Sequence, residues 1–305
     1  MTAFLFKRLL HGIIVLWVVA TLTFILLRVA PGGPFDRERK LPPEVLQNIE
    51  AKYHLNEPWI SQYLRYLQGV ARGDLGPSYK YLDRGVNEII ADTLPASATL
   101  GGLALLFALS FSFPAGLTAA SYRNSWLDRC AMFMATLGIS LPHFILGALL
   151  IWAVALQLGW LQAGRWDQWS SVILPTITLG AAPAAYLAAL LRSSLIETLG
   201  EDFIRTARAK GVGEISVVLK HALRHSLIPV LTVMGPLTAA LLTGSFVVEY
   251  VFAIPGMGRF FITAVTDRDY PLIMGVTLVY TVLLVCTNLM VDVFYSYVDP
   301  RIRIS

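Results

Sequence analysis

The side chains best placed to do work in this sequence are concentrated between Phe203 and His225. Arg205, Arg208, Lys210, Lys220 and Arg224 stand there around Gly211 and Gly213. A spacing of three puts Arg205 and Arg208 on one face of a short helix over residues 201–210. Gly211-Val-Gly213 ends that helix, and a second follows with Ile215, Val218, Leu219 and Ala222 as its apolar stripe. Helix, glycine break and helix together describe a rigid element lying along a surface and docked on another protein. The same charges would also serve simply to anchor topology. His221 and His225 are four apart, a spacing that can chelate a metal on one helix face. No third ligand is evident, so a solvated cationic face is expected there. No G-x-x-x-x-G-K-[ST] phosphate cradle, H-E-x-x-H or G-x-S-x-G occurs. A chain that neither cradles phosphate nor pairs a nucleophile with a base is expected to be non-catalytic.

These residues sit in an unusually apolar chain of 305 residues, 56% hydrophobic and 14% charged, with a mean hydropathy of +0.63. Soluble domains carry about 25% charged residues, so the main solvent here is lipid. Six apolar runs, at 9–28, 97–121, 130–157, 173–191, 227–248 and 271–298, meet the length for crossing a bilayer. An all-α integral membrane protein of about six transmembrane helices follows. The first run lacks a small-x-small cleavage site and is expected to stay as an anchor. With the N-terminus inside, twelve Lys and Arg fall on the inner side, among them Lys7, Arg8, Arg123, Arg129, Arg192, Arg301 and Arg303. The short outer loops hold only Arg165, Arg259 and Arg268, so both termini are expected in the cytoplasm. The net charge of +4 reflects this topology and gives no support for nucleic-acid binding. Cys130 and Cys286 lie in predicted spans and read as small apolar fillers.

The expected organisation is a cytoplasmic tip and first span over 1–30, an external insertion over 31–95, a five-helix core over 96–298 with an inner loop at 193–226, and a tail over 299–305. The insertion shows helical periodicity three times: Val45, Leu46, Ile49 and Tyr53 after Pro43; Trp59 to Val70 after Pro58; Val86, Ile89, Ile90 and Leu94 after Gly85. Three short helices would form a cap, either a lid on the bundle or a surface receiving something from outside. Pro142 and Pro183 would kink the third and fourth spans, either lining a pathway or simply packing. Small residues crowd the second and fourth spans, from Gly101 to Gly116 and from Gly180 to Ala189, as close helix packing requires. The outer loop Phe252 to Ile262 turns sharply at Pro255, Gly256 and Gly258, with Ile254, Met257 and Phe260 apolar enough to dip among the helices. It forms either an external gate or a plain turn. Asp292 and Glu249 are isolated carboxylates, too sparse for a proton relay. Asp292 is expected to bond a neighbouring helix or Asn288, and Glu249 to brace the outer loop.

Arg205-Thr-Ala-Arg-Ala-Lys-Gly211, with His221-Ala-Leu-Arg224 and Pro229, resembles the cytoplasmic coupling loop of ABC-importer permeases of the peptide and nickel family. Leu27-Arg-Val-Ala-Pro-Gly32, Gly73-Asp-Leu-Gly76, Ile254-Pro-Gly-Met-Gly258, Arg268-Asp-Tyr-Pro271, Asn288, Val291-Asp292 and Asp299-Pro-Arg-Ile-Arg303 extend the resemblance over the whole chain. Leu41-Pro-Pro-Glu-Val45 and Asn48 to Asn56 look closer still to the first membrane subunit of bacterial oligopeptide permeases. The wider family has Glu-Ala-Ala where this chain has Arg205, Thr206 and Ala207, so a Glu-specific contact does not carry over.

The resemblance implies a type I permease fold in the bacterial inner membrane and import of oligopeptides or dipeptides. Its implied partners are a second homologous permease, two cytoplasmic ATP-binding subunits, a periplasmic peptide-binding protein and membrane lipid. The chain itself binds no cofactor in this scheme; ATP and Mg belong to the partner ATPases. Arg205, Thr206, Ala207, Arg208, Ala209, Lys210, Gly211 and Gly213 would couple to them. From the residues alone, an ion-coupled secondary transporter or a peptide sensor without ATPases remains the competing possibility.

Overall fold

A computed structural model describes residues 2–35, 43–81, 83–164 and 166–298. The expected tail at 299–305, with Arg301 and Arg303, and Arg165, Leu41 and Pro42 lie outside the described residues. No strand occurs among the described residues.

Chain order gives α1 (Thr2–Val29), α2 (Pro43–Lys52), α3 (Trp59–Ala71), α4 (Val86–Ser121), α5 (Trp126–Ser140) and α6 (His143–Leu150), whose last turn widens into a π-helix over Ile151–Gln157. There follow α7 (Trp169–Leu199), α8 (Asp202–Ala209), α9 (Glu214–Ser216), a π-helical stretch Val217–Ala222, α10 (Leu223–Leu242), α11 (Phe246–Val251), α12 (Met257–Asp267) and α13 (Tyr270–Val298). Five helical segments are each long and apolar enough to cross a bilayer, and α5 with α6, bent by 106°, meets the same test only when the two are taken together.

The break falls at Pro142. Proline pushes the residue before it out of the helical region, and Leu141 is extended at ψ 118°. Pro142 then stands as the N-cap of α6. The 15 residues of α5 rise only about 22 Å at 1.5 Å each, short of a hydrocarbon core of about 30 Å. The two pieces also serve opposite ends: Asp128 of α5 pairs with Arg192 near the basic end of α7, while Leu150, Ile151 and Val154 pack with Phe252 and Ile254 of the other end. The kink expected at Pro142 within the run 130–157 is therefore a full break between two helices. Pro183, by contrast, lies within α7, which is assigned as one helix from Trp169 to Leu199.

Two expected surface helices prove to be extensions of spans. α2 and α3 start where the prolines placed them, but Val86 to Leu94 is the beginning of the 36-residue α4. Nothing stops that helix: Val86, Ile89 and Ile90 are buried against Phe24, Leu272 and Ile273, so the apolar stripe that suggested a short cap helix packs on α13. At the other end the helix from Glu214 runs on through Ala222 into α10 without a break. Val217, Val218 and Ala222 are buried, whereas Ile215 and Leu219 are exposed, so the second expected surface helix is the inner turns of the fifth span.

Small residues set the closest approaches. A Cβ on Gly180 of α7 would lie 2.8 Å from the Ala104 carbonyl oxygen of α4, and one on Gly101 would lie 2.1 Å from that of Leu241 in α10. Side chains there would force the backbones apart, as the expected close packing of the second and fourth spans requires. Asp292 bonds to Arg8 of α1 at 3.1 Å, tying the first and last spans. Asn288 instead lies against Gly235 of α10.

A bidentate ion pair holds α5 on α7: Arg192 donates from Nε to Asp128 Oδ1 at 2.5 Å and from Nη2 to Oδ2 at 2.7 Å. Asp128 is buried and also accepts the Asn124 N–H at 2.9 Å. Breaking one side of such a pair costs about 3–5 kcal/mol when fully buried. Arg192 keeps a quarter of its side chain exposed, so Asp128→Asn is expected to cost about 3 kcal/mol. Asp128→Leu combined with Arg192→Met should cost less. Thermal unfolding in detergent measures both, and an unchanged midpoint for Asp128→Asn would contradict this assignment.

Candidate functional site

The helix α8 sits at the basic end of the bundle, and its sequence explains its seating. Ile204 and Ala207, three apart, share one face and are buried with Leu195, Val217, Val218, Ala222 and Ala120. Asp202, Phe203, Arg205, Thr206, Arg208, Ala209 and Lys210 are exposed. Ala207 thus turns inward, away from the face the other coupling candidates present.

Gly211 stops this helix by a defined cap. The Gly211 N–H donates to the Arg208 carbonyl at 2.9 Å and the Val212 N–H to the Ala207 carbonyl at 3.2 Å. That pair of bonds is a Schellman motif, which requires a left-handed residue between them. Gly211 supplies it at φ +79°, and Val212 packs back into the same apolar cluster. Gly213 has an ordinary φ of −63° and begins the next helix. Arg208 spans the turn to reach Glu214, with Nη2 donating to Oε1 at 2.5 Å, and this holds the Arg208 guanidinium above its usual range. Gly211 therefore makes a fastened corner between α8 and the helix that follows. Phe203 leans on the His225 ring at 5.0 Å.

At the opposite end, α11 and α12 form a tight helical hairpin across the sequence Phe252 to Gly258. Phe252, Ile254 and Met257 are buried, Gly256 is enclosed and Pro255 is exposed. Glu249 is the centre of this turn and is fully buried. Its carboxylate accepts the Ser97 hydroxyl of α4 at 2.7 Å and the Arg259 N–H of α12 at 3.1 Å. Ser97 Oγ in turn accepts the Met257 N–H at 2.7 Å. A Cβ at Gly256 would stand 2.3 Å from the Glu249 carboxyl carbon, and one at Gly258 3.1 Å from Oε2. The glycines are needed because the backbone wraps the carboxylate. Phe260 packs beside Tyr81 of the cap, ring centres 5.4 Å apart. The bend at Pro142 adjoins this region: the His143 ring nitrogen Nδ1 lies 3.1 Å from the Thr178 carbonyl of α7.

The stretch Arg268 to Pro271 fastens the cap. Asp269 is fully buried and accepts the Ser78 hydroxyl, the Tyr79 N–H at 3.1 Å and the Leu272 N–H at 3.3 Å. One carboxylate thereby caps α13 and holds the loop after α3. Tyr270 donates its hydroxyl to the Gly32 carbonyl at 3.2 Å, and Arg268 donates to that of Gly33 at 3.1 Å. Residues 190 apart meet here, which no local spacing signals. The Arg-Asp-Tyr-Pro stretch itself was the available sign.

Two family models match the chain. One, described as the binding-protein-dependent transport system inner membrane component, covers residues 112–304, and its N-terminal counterpart covers residues 1–101. The chain is 45% identical to the oligopeptide transport system permease protein OppB of Haemophilus influenzae, over 99% of this chain and 100% of that protein. It is 44% identical to the dipeptide transport system permease protein DppB of Bacillus subtilis, over 100% and 99%. The OppB protein of Escherichia coli K12 matches at 42%, over 99% and 100%. Among solved structures, an inward-facing conformation of the MetNI methionine ABC transporter matches with a TM-score of 0.56 at 19% identity, over 69% of this chain and 96% of that one. At that identity the likeness concerns the fold, that of an ABC-transporter permease.

Proposed function

Because this chain belongs to the family of inner membrane components of binding-protein-dependent transport systems, we propose that it is the permease subunit of an ATP-driven importer of oligopeptides or dipeptides. It works beside a second homologous permease, above two cytoplasmic ATP-binding subunits that hold ATP and Mg, and below a periplasmic protein that delivers peptide. Peptide cargo is proposed from the relatives' own function. The basic end faces the cytoplasm, with both termini, by the bias of Lys and Arg to that side.

The observation behind the mechanism is the seating of α8. A helix of eight residues presents Arg205, Thr206, Arg208, Ala209 and Lys210 outward, while its buried face and its Schellman corner join it to α7 and to the start of the fifth span. A push on that outward face reaches two spans at once. Closure of the ATPases on α8 therefore moves α7 and α10 as a unit and switches access from periplasm to cytoplasm. At the other end the hairpin around Glu249 closes the periplasmic mouth, with Ile254, Met257 and Phe260 packed inward and Pro255, Gly256 and Gly258 making the turn. Pro142 separates α5 from α6, and Pro183 lies within the unbroken α7; these helices are proposed to line the pathway.

Cysteine crosslinking tests the docking face. In a complex assembled with its ATPases, Ala209→Cys is expected to crosslink to an ATPase, and Ala207→Cys to remain silent until the complex is denatured. Capture from position 207 but not from 209 would mean that the opposite face docks.

A further inference from the structure

Beneath the cap, between the outer end of α1, α3 and the start of α13, lies a cavity of about 340 Å³. Its floor is apolar, with Phe24, Leu75 and Met274, and its wall is aromatic and basic, with Arg28, Tyr66 and Tyr79. Lys52, Arg65 and Arg72 also line it, with Asp74 the only carboxylate among its described lining residues. Arg65 is already engaged by Glu57 at 2.7 Å; the remaining cationic groups leave the cavity positive.

Two polar atoms in this wall are buried without a protein partner: Arg28 Nη1 and the Tyr66 hydroxyl. Arg28 is held firmly by its other atoms. Its Nη2 donates to Gln62 Oε1 at 2.5 Å, and its guanidinium lies over the rings of Phe24 at 4.8 Å and Tyr270 at 5.2 Å. Gln62 is fixed in turn by the Leu55 and Glu57 carbonyls at 3.1 and 2.8 Å. A buried donor left unmet costs about 1–3 kcal/mol, more when charged, so a preset guanidinium edge with a free donor selects an acceptor. Burial pushes the Tyr79 hydroxyl up to about 12 and raises that of Tyr66 as well. Both remain O–H donors at physiological pH.

We propose that this cavity is a carboxylate-recognition site in which Arg28 and Tyr66 hold the carboxyl end of a peptide while its last side chain rests on Phe24, Leu75 and Met274. The proposal rests on the peptide-transport function above for the ligand's identity. A guanidinium meets a planar carboxylate through charge-assisted hydrogen bonds. The apolar floor asks for an apolar body on the same ligand, and the volume, near the low end of ligand pockets at about 300–1,000 Å³, suits one or two residues. A bare inorganic anion would leave the floor unused.

The test uses the full transporter complex in lipid nanodiscs without its binding protein, titrated with alanyl-phenylalanine and with the carboxamide of that dipeptide. The acid should bind about tenfold or more tightly than the amide, the factor that about 1.4 kcal/mol represents. Arg28→Gln should erase the difference. Tyr66→Phe, which removes only a hydroxyl, should narrow it while leaving the fold intact. Equal binding of acid and amide, no binding at all, or displacement of the peptide by inorganic phosphate or by phosphatidylglycerol headgroups would overturn the proposal. Uptake of peptide delivered by the binding protein is measured alongside. Uptake without binding to the cavity would sink the site and leave the transport function standing. Binding without any uptake would do the reverse.

Discussion

Glu249→Ala is expected to abolish peptide uptake by freeing the periplasmic hairpin, with the bundle below still assembled. The carboxylate is fully buried and joins three elements, accepting from Ser97 on α4 and from the Arg259 N–H on α12 while projecting from α11. Truncation leaves the Arg259 N–H and the Ser97 hydroxyl without their acceptor, at about 1–3 kcal/mol for each buried group. It also empties the space around which Gly256 and Gly258 fold. Maleimide labelling of a cysteine placed at buried Ile254 reads the change: slow in the parent, fast in the variant. Glu249→Gln keeps the volume but replaces one acceptor with a donor, so it should fall between. Unchanged labelling and uptake in Glu249→Ala would mean that the carboxylate does not hold the gate.

The second large effect is expected at Gly211. Valine at φ +79° costs about 1–2 kcal/mol in the left-handed region, and more for a β-branched side chain. The local alternative is to open the cap, which releases the Val212 N–H from the Ala207 carbonyl and unseats α8. A population shift of about tenfold follows from that cost, so uptake per unit of ATP hydrolysed should fall by about that factor. Gly211→Asn is the control, since asparagine enters this conformation readily and should restore most of the coupling. If valine and asparagine behave alike, the corner is not what transmits force.

Much of this architecture could be read from the residues. Runs of apolar side chains marked the spans, because lipid leaves a helix no other way to satisfy its backbone. Pro43, Pro58 and Gly211 marked where helices begin or end. What escaped were the joins. The stripe Val86, Ile89, Ile90 has the same period whether it belongs to a short cap helix or to the top of a 36-residue span, and only its packing on Leu272 and Ile273 decides. The segment after Gly213 posed the same ambiguity, resolved by the burial of Val217 and Ala222 beside Leu195. Pro142 signalled a kink in the third span, but not that the helix would break there into two pieces bent by 106°. Glu249 was legible as a brace, yet its partner Ser97 lies 152 residues away. Asp128 with Arg192 and Asp269 with Ser78 are likewise pairs made by the fold, invisible to spacing along the chain.

The central claim is that α8 is a handle worked by a separate motor. Its most direct test is peptide uptake into proteoliposomes containing this chain, its partner permease, the two ATPases and the binding protein. Uptake should require ATP inside, persist when the proton gradient is collapsed, and vanish when the ATPases are omitted. Uptake by the permease pair alone, or uptake that follows the proton gradient and ignores ATP, would contradict it.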